Sequence, residues 1–155
     1  MMSPAGLDSE MRDSRVHFNI EGAQHDQFKL WARADAGGDG KIFDSIASMF
    51  VFAAAFGYAR GARRPIQGKR VDVFRWQNLD DLNQTVLRSI ALAASEGDPT
   101  VLADRGSVAD IVEEFATAGV DLLKTELGEA SRDRATEALG RLVCEMAATD
   151  GTARV

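Results

Sequence analysis

The chain has 155 residues, of which 45% are apolar and 27% are charged, and its formal net charge is −6. No apolar run reaches the roughly 20 residues that a membrane helix needs, and the chain does not begin with a signal segment. The single cysteine, Cys144, excludes an internal disulfide. We therefore expect one cytoplasmic domain that makes no membrane contact.

The predicted fold class is mainly α, with one helical domain over residues 13–148 between disordered termini at 1–12 and 149–155. Residues 15–20 alternate polar with apolar side chains, which predicts a half-buried strand. A helix over 24–34, a glycine-rich turn and a buried helix follow this strand.

This order of elements resembles a ribbon-helix-helix protomer, in which paired strands from two chains enter the DNA major groove. It predicts a homodimer, because such a strand is stable only when it is paired. Three residues would then face the bases and phosphates: Arg15, His17 and Asn19. The alternative is a short strand that packs on its own domain.

The turn after residue 34 resembles a calcium-binding EF-hand loop, with Asp35 and Asp39 at two ligand positions. Gly37 stands where an oxygen ligand is needed, and Ile46 replaces the bidentate glutamate. We therefore predict a helix-to-helix turn that holds no metal, and we expect no other cofactor.

The stretch 44–64 organises the rest of the chain. Asp44 is predicted to cap a helix, and residues 46–56 are apolar on every face apart from Ser48, which indicates a helix that protein covers on all sides. A basic run follows this helix and contains a single acid. The residues predicted to contact DNA phosphates are Arg60, Arg63, Arg64, Lys69, Arg70 and Arg75. The alternative is an ordinary solvated loop.

Residues 71–74 are predicted to form a second strand or an extended connection. Apolar stripes and stop signals predict three more helices, over 79–96, 108–127 and 129–148. Asp80 and Ser107 are expected to cap the first two of these helices. Glu113 is expected to face solvent, and Cys144 to be a small core residue.

Two segments resemble the signatures of a known family. The first runs from KIFD at 41–44 to AAAFGYARG at 53–61, and the second is IVEEFATAGV at 111–120. Both are similar to segments of the DNA phosphorothioation-associated (dnd system-associated) protein 4 family, and the similarity covers most of residues 15–125. The resemblance implies a bacterial antiviral defence context, in which sulfur in the DNA backbone marks self and a restriction complex attacks unmarked DNA. It implies no catalytic residues.

The sequence contains no nucleophile motif, phosphate-binding glycine loop or metal-ligand cluster, so we predict that the protein is not an enzyme. The leading hypothesis is a non-enzymatic DNA-binding or accessory component of a phosphorothioation-linked restriction-modification system. The alternative is a protein-interaction adaptor or assembly subunit that does not bind DNA itself. Charge is consistent with either: residues 1–70 carry ten Lys/Arg against eight Asp/Glu, whereas residues 71–155 carry eight against sixteen.

Overall fold

The computed structural model describes residues 16–32, 42–127, 137–145 and 148, and these ranges are mainly helical. The elements are β1 (His17–Glu21), α1 (His25–Ala32), α2 (Ile46–Ala59), β2 (Arg70–Arg75), α3 (Asp81–Ala94) and α4 (Arg105–Leu127). Residues 137–145 are helical as well. The mainly α prediction is thus confirmed. The predicted disordered termini and Arg15 lie outside the described residues. So do residues 33–41, which include most of the calcium-like loop, and residues 128–136, which include the start of the predicted helix over 129–148.

Helix α2 lies at the centre of the core, as its all-round apolar sequence predicts. No residue from Ile46 to Gly57 is exposed, because α1, α3, α4 and β2 all pack against it. Phe50 also meets the Phe18 ring of β1 in an edge-on contact at 5.4 Å. These contacts cover the helix on all sides up to Gly57, which is what a helix without a polar face requires, and leave Tyr58 and Ala59 exposed at its end.

The closest packing in the core is between α2 and α4. At Gly119 of α4 an added Cβ would lie 2.7 Å from the carbonyl carbon of Ala53, and closer still to its oxygen. At Gly57 of α2 an added Cβ would lie 3.1 Å from the carbonyl carbon of Phe115. The two backbones therefore approach so closely that each position leaves no room for a side chain.

Strand β1 pairs with β2 of the same chain in an antiparallel ribbon, and the register shifts by one residue between Phe18 and Asn19. The ribbon-helix-helix interpretation took the partner strand from a second chain, and this part of the prediction is wrong. Phe74 supplies the physical reason, because its ring stacks on Phe18 at 4.7 Å and thereby fixes the two strands together over the core. The strand gives no reason for dimerisation, and the homodimer stays a prediction.

The helix starts show which capping predictions hold. Asp80 caps α3 as predicted, since its carboxylate accepts from the Asn83 amide at 2.8 Å. Ser45 rather than Asp44 caps α2, because the Ser45 hydroxyl accepts from the amide of Ser48. Helix α4 begins three residues before the predicted position, so Ser107 lies inside its first turn.

Asp104, and not Ser107, caps the start of α4. Its carboxylate accepts from the Gly106 amide and from the Ser107 hydroxyl, both at 3.0 Å. Cys144 is exposed, not a core residue. In the described ranges no helix combines the length and the apolar character needed to cross a membrane.

Candidate functional site

The basic segment consists of residues 60–69, which link α2 to β2, and Arg70, the first residue of β2. This segment crosses the face of α4. The amide of Ala62 caps the end of α2, since it donates to the Gly57 carbonyl at 2.8 Å. The Arg64 amide then donates to the Glu114 carbonyl of α4 at 3.3 Å. This attachment brings the arginines of the basic segment beside the acidic residues of α4.

Arg64 joins three elements through its guanidinium group. Its two Nη atoms bind both carboxylate oxygens of Glu21 at 2.7 and 2.8 Å, and its Nε donates to Asp121 at 2.6 Å. The fork of the guanidinium matches a carboxylate in this way because both groups are planar. The hydrogen bond from Arg64 lowers the pKa of Glu21, and the two carboxylates raise the pKa of Arg64. The arginine therefore connects β1, the basic segment and α4.

Glu113 is buried, which contradicts the expectation that it faces solvent. One carboxylate oxygen accepts from the backbone amide of Asn19 at 2.7 Å and from its side-chain amide at 3.2 Å. The other oxygen lies 2.6 Å from the guanidinium of Arg70. Burial raises the pKa of Glu113, and the hydrogen bonds of Asn19 and the charge of Arg70 oppose that rise. The side chain of Glu113 is 3% exposed and that of Arg70 is 50% exposed, so the ion pair extends from the interior to the surface.

Arg63 is the third paired arginine. Its guanidinium lies 2.7 Å from the carboxylate of Glu114 and 5.2 Å from the centre of the Phe115 ring. Tyr58 meets the same ring edge-on at 5.6 Å. Arg63 is thus positioned by an ion pair and a cation–π contact together.

The remaining predicted DNA contacts are scattered. Arg60, Lys69 and Arg75 are exposed and have no ion pair with any residue in the described ranges. His17 pairs with Asp72 on the ribbon, and Asn19 points to Glu113. Arg15 lies outside the described residues. Among the described residues, the structure thus brings Arg63, Arg64, Arg70 and Asn19 together beside the acids of α4. His17 lies opposite Arg75 on the ribbon.

The four acidic partners are the residues that the sequence analysis did not assign to a site. They are Glu21, Glu113, Glu114 and Asp121. A usable signal existed on α4, since positions 113, 117 and 121 are polar at i, i+4 spacing and therefore share one face. Gln24 marks that face too, because its amide donates to the Thr117 carbonyl at 2.9 Å and to Asp121 at 3.0 Å.

An open cleft of about 310 Å³ lies between the basic segment and α4. Its lining is partly apolar and partly charged, and consists of Arg63, Pro65, Ile66, Arg70, Asp110, Ile111, Glu113 and Glu114. The described residues contain no group of three or more side chains that could hold a metal ion. The cleft thus places apolar and charged side chains side by side.

Residues 23–154 match the family described as DNA sulphur modification system-associated protein 4. The chain belongs to this family. The match confirms the resemblance found in the sequence, and it contains the whole basic segment and α4 with its acidic residues. Strand β1 lies just before the matched range. Neither a curated protein nor a solved structure is detectably similar to this family member.

Proposed function

We propose that this chain is a non-enzymatic accessory protein of a DNA sulphur modification system, and that it joins the system through contacts with other proteins. The description of its family supports the association. One observation carries the choice of protein contact over DNA contact. Each of the three arginines at the centre of the predicted phosphate-binding set (Arg63, Arg64 and Arg70) already has an acidic partner within this chain.

The charges of this network make it a poor phosphate site. Three guanidinium groups face four carboxylates, so a phosphate would meet a net negative surface. A phosphate that displaced Arg70 from Glu113 would leave a buried carboxylate without its cation. That loss costs about 3–5 kcal/mol for a fully buried pair and less here, because Arg70 is 50% exposed. Non-specific DNA binding has a Kd of about 10⁻⁴–10⁻⁶ M. When the corresponding free energy is divided over about 6–10 phosphate contacts, each contact contributes only about 1 kcal/mol. The loss of the ion pair and the net negative charge of the network therefore both oppose phosphate binding at Arg70.

A second candidate function is DNA binding by exposed cations that form no ion pair with the described residues, although the guanidinium of Arg60 lies 5.2 Å from the centre of the Phe56 ring. Arg60, Lys69 and Arg75 are exposed, and three phosphate contacts would give a slope of about −2.7 in log affinity against log salt. Arg15, His17 and Asn19 remain its predicted base and phosphate contacts. The rest of the chain opposes this binding, because the net charge is −6.

The test of the first function is co-purification of the full chain with other proteins of the DNA sulphur modification system, before and after nuclease treatment. A protein–protein complex keeps its mass by light scattering when the nucleic acid is digested. Loss of the complex on digestion would instead show that DNA bridges the components. No complex under either condition would contradict the adaptor function.

The test of the second function is a mobility shift with sulfur-modified and unmodified duplexes across a salt series. We expect no specific shift for the isolated chain. If a shift appears, a triple charge reversal at Arg60, Lys69 and Arg75 should remove it. The matched control reverses Lys29, Lys124 and Arg141, which are also exposed. A shift that is lost in the triple variant and kept in the control would establish DNA binding.

A further inference from the structure

The cleft between the basic segment and α4 has an excess of negative charge after the ion pairs described above are counted. Two arginines and three acids line it, and the arginines are held by Glu113 and Glu114. Asp110 is the remaining acid, is exposed, and has no ion pair with any residue that the structure describes. The cleft therefore carries one more negative charge than positive charge.

The unpaired charge of Asp110 affects the neighbouring carboxylate of Glu113. Asp110 lies three residues before Glu113 on α4, so the two carboxylates share a face of the helix. The charge of Asp110 contributes to raising the pKa of Glu113, after the larger effect of burial. A cation placed beside Asp110 would relieve this repulsion, whereas an anion would increase it.

The walls of the cleft suit the stem of a long side chain. Pro65 and Ile66 form one wall and Ile111 belongs to the other, and both isoleucines are partly exposed. The volume of about 310 Å³ is at the lower end of the range for pockets that hold small ligands. It accommodates one long side chain with its neighbouring backbone, and it is too small for a whole helix.

We propose that the cleft binds an arginine or lysine side chain from an extended segment of a partner protein. The aliphatic stem lies against Ile66 and Ile111, and the cationic head lies at Asp110. The stems of Lys and Arg pack on apolar surface while their charges remain at the edge, which matches a cleft with apolar walls and an acidic rim. The proposal rests on the adaptor function above and names the chemistry of the partner.

The test uses two blocked tetrapeptides and the full chain labelled with ¹⁵N. One peptide, Ac-Ala-Ala-Arg-Ala-NH₂, carries the cation, and the other carries neutral citrulline in place of arginine. We expect amide shifts at Ile66, Asp110 and Ile111 with the arginine peptide alone. Equal shifts from both peptides, shifts spread over the surface, or no shifts at the cleft overturn the proposal.

The variant Asp110→Asn should weaken binding of the arginine peptide by about threefold or more, which is the effect of losing a partly exposed ion pair. Glu126→Gln is the matched control, because Glu126 is an exposed acid on the same helix but outside the cleft. Equal weakening of peptide binding in both variants would show that the overall charge of the chain causes the effect, and it would overturn the proposal.

Co-purification separates this proposal from the adaptor function. If Asp110→Lys still co-purifies with its partner as the parent does, the adaptor function stands and the cleft is not the contact. If no partner co-purifies but the arginine peptide binds in the cleft, the cleft recognises a cationic side chain as proposed, and the adaptor function within this system fails.

Discussion

The substitution Gly119→Ala tests the close approach of α2 and α4. The new Cβ would lie 2.7 Å from the carbonyl carbon of Ala53, whereas ordinary contacts begin at 3.4 Å. The helices would therefore have to separate by at least 0.7 Å, the difference between these distances, and by more at the carbonyl oxygen. The obstacle is backbone, which cannot rotate away as a side chain can. We expect an overpacking cost near the upper end of about 1–3 kcal/mol.

Alanine also favours the helix over glycine by about 1 kcal/mol, which offsets part of that cost. The net loss is then about 2 kcal/mol, equivalent to a fall in Tm of about 4–8 °C for a chain of this size. Thermal unfolding followed by circular dichroism measures it. Gly140→Ala is the control, because Gly140 is helical and an added Cβ there meets nothing within 4 Å. If Gly119→Ala melts at or above the parent temperature, the argument from backbone contact is wrong.

Four further predictions concern the polar network and the cap of α3. Glu21→Gln should lose more stability relative to the parent at about pH 7 than at about pH 4. The reason is that Arg64 lowers the pKa of Glu21, so the stability from its charged form is present above the ordinary value of 4.5 and lost as the pH falls. Glu113→Gln should show the opposite trend, with the smaller loss of stability at about pH 7, because burial raises the pKa of Glu113 and the stability that its protonated form contributes is lost as the pH rises. Urea unfolding of both variants at both pH values tests the two trends. The same pH dependence in both variants would contradict the reasoning. Arg64→Lys should cost about 1–2 kcal/mol in the same assay, since lysine cannot form the two-pronged bond to Glu21 while also reaching Asp121, and a change near zero would refute that role. Asp80→Ala should cost about 1 kcal/mol by loss of the α3 cap, seen as a lower urea midpoint with an unchanged slope.

The elements that the sequence predicted well are those with local causes. Helix α2 is apolar on every face, and Asp80 stands directly before the apolar stripe of α3, so each could be inferred from neighbouring residues alone. The cap of α2 was misplaced by one residue because Asp44 and Ser45 are both good caps, and only the backbone geometry selects Ser45.

The site depended on contacts between residues far apart in the chain. Glu113 was expected to face solvent because a glutamate is rarely buried without a partner. Its partners, Asn19 and Arg70, are 94 and 43 residues away. Nothing in the local pattern of α4 specifies which distant group will neutralise a carboxylate. The basic run was recognised from the sequence, but its internal pairing was not.

Strand β1 has a consequence for how this protein is dissected. A fragment that starts at residue 23, where the family match begins, would lack Asn19 and Glu21. Arg64 would lose the carboxylate that its fork binds, and Glu113 would lose the backbone amide that satisfies it. Such a fragment would leave the two Nη atoms of Arg64 without Glu21, while its Nε keeps Asp121, and Glu113 would be less well satisfied. Nucleic acid that the fragment retained and the full chain did not would therefore be an artefact of the cut.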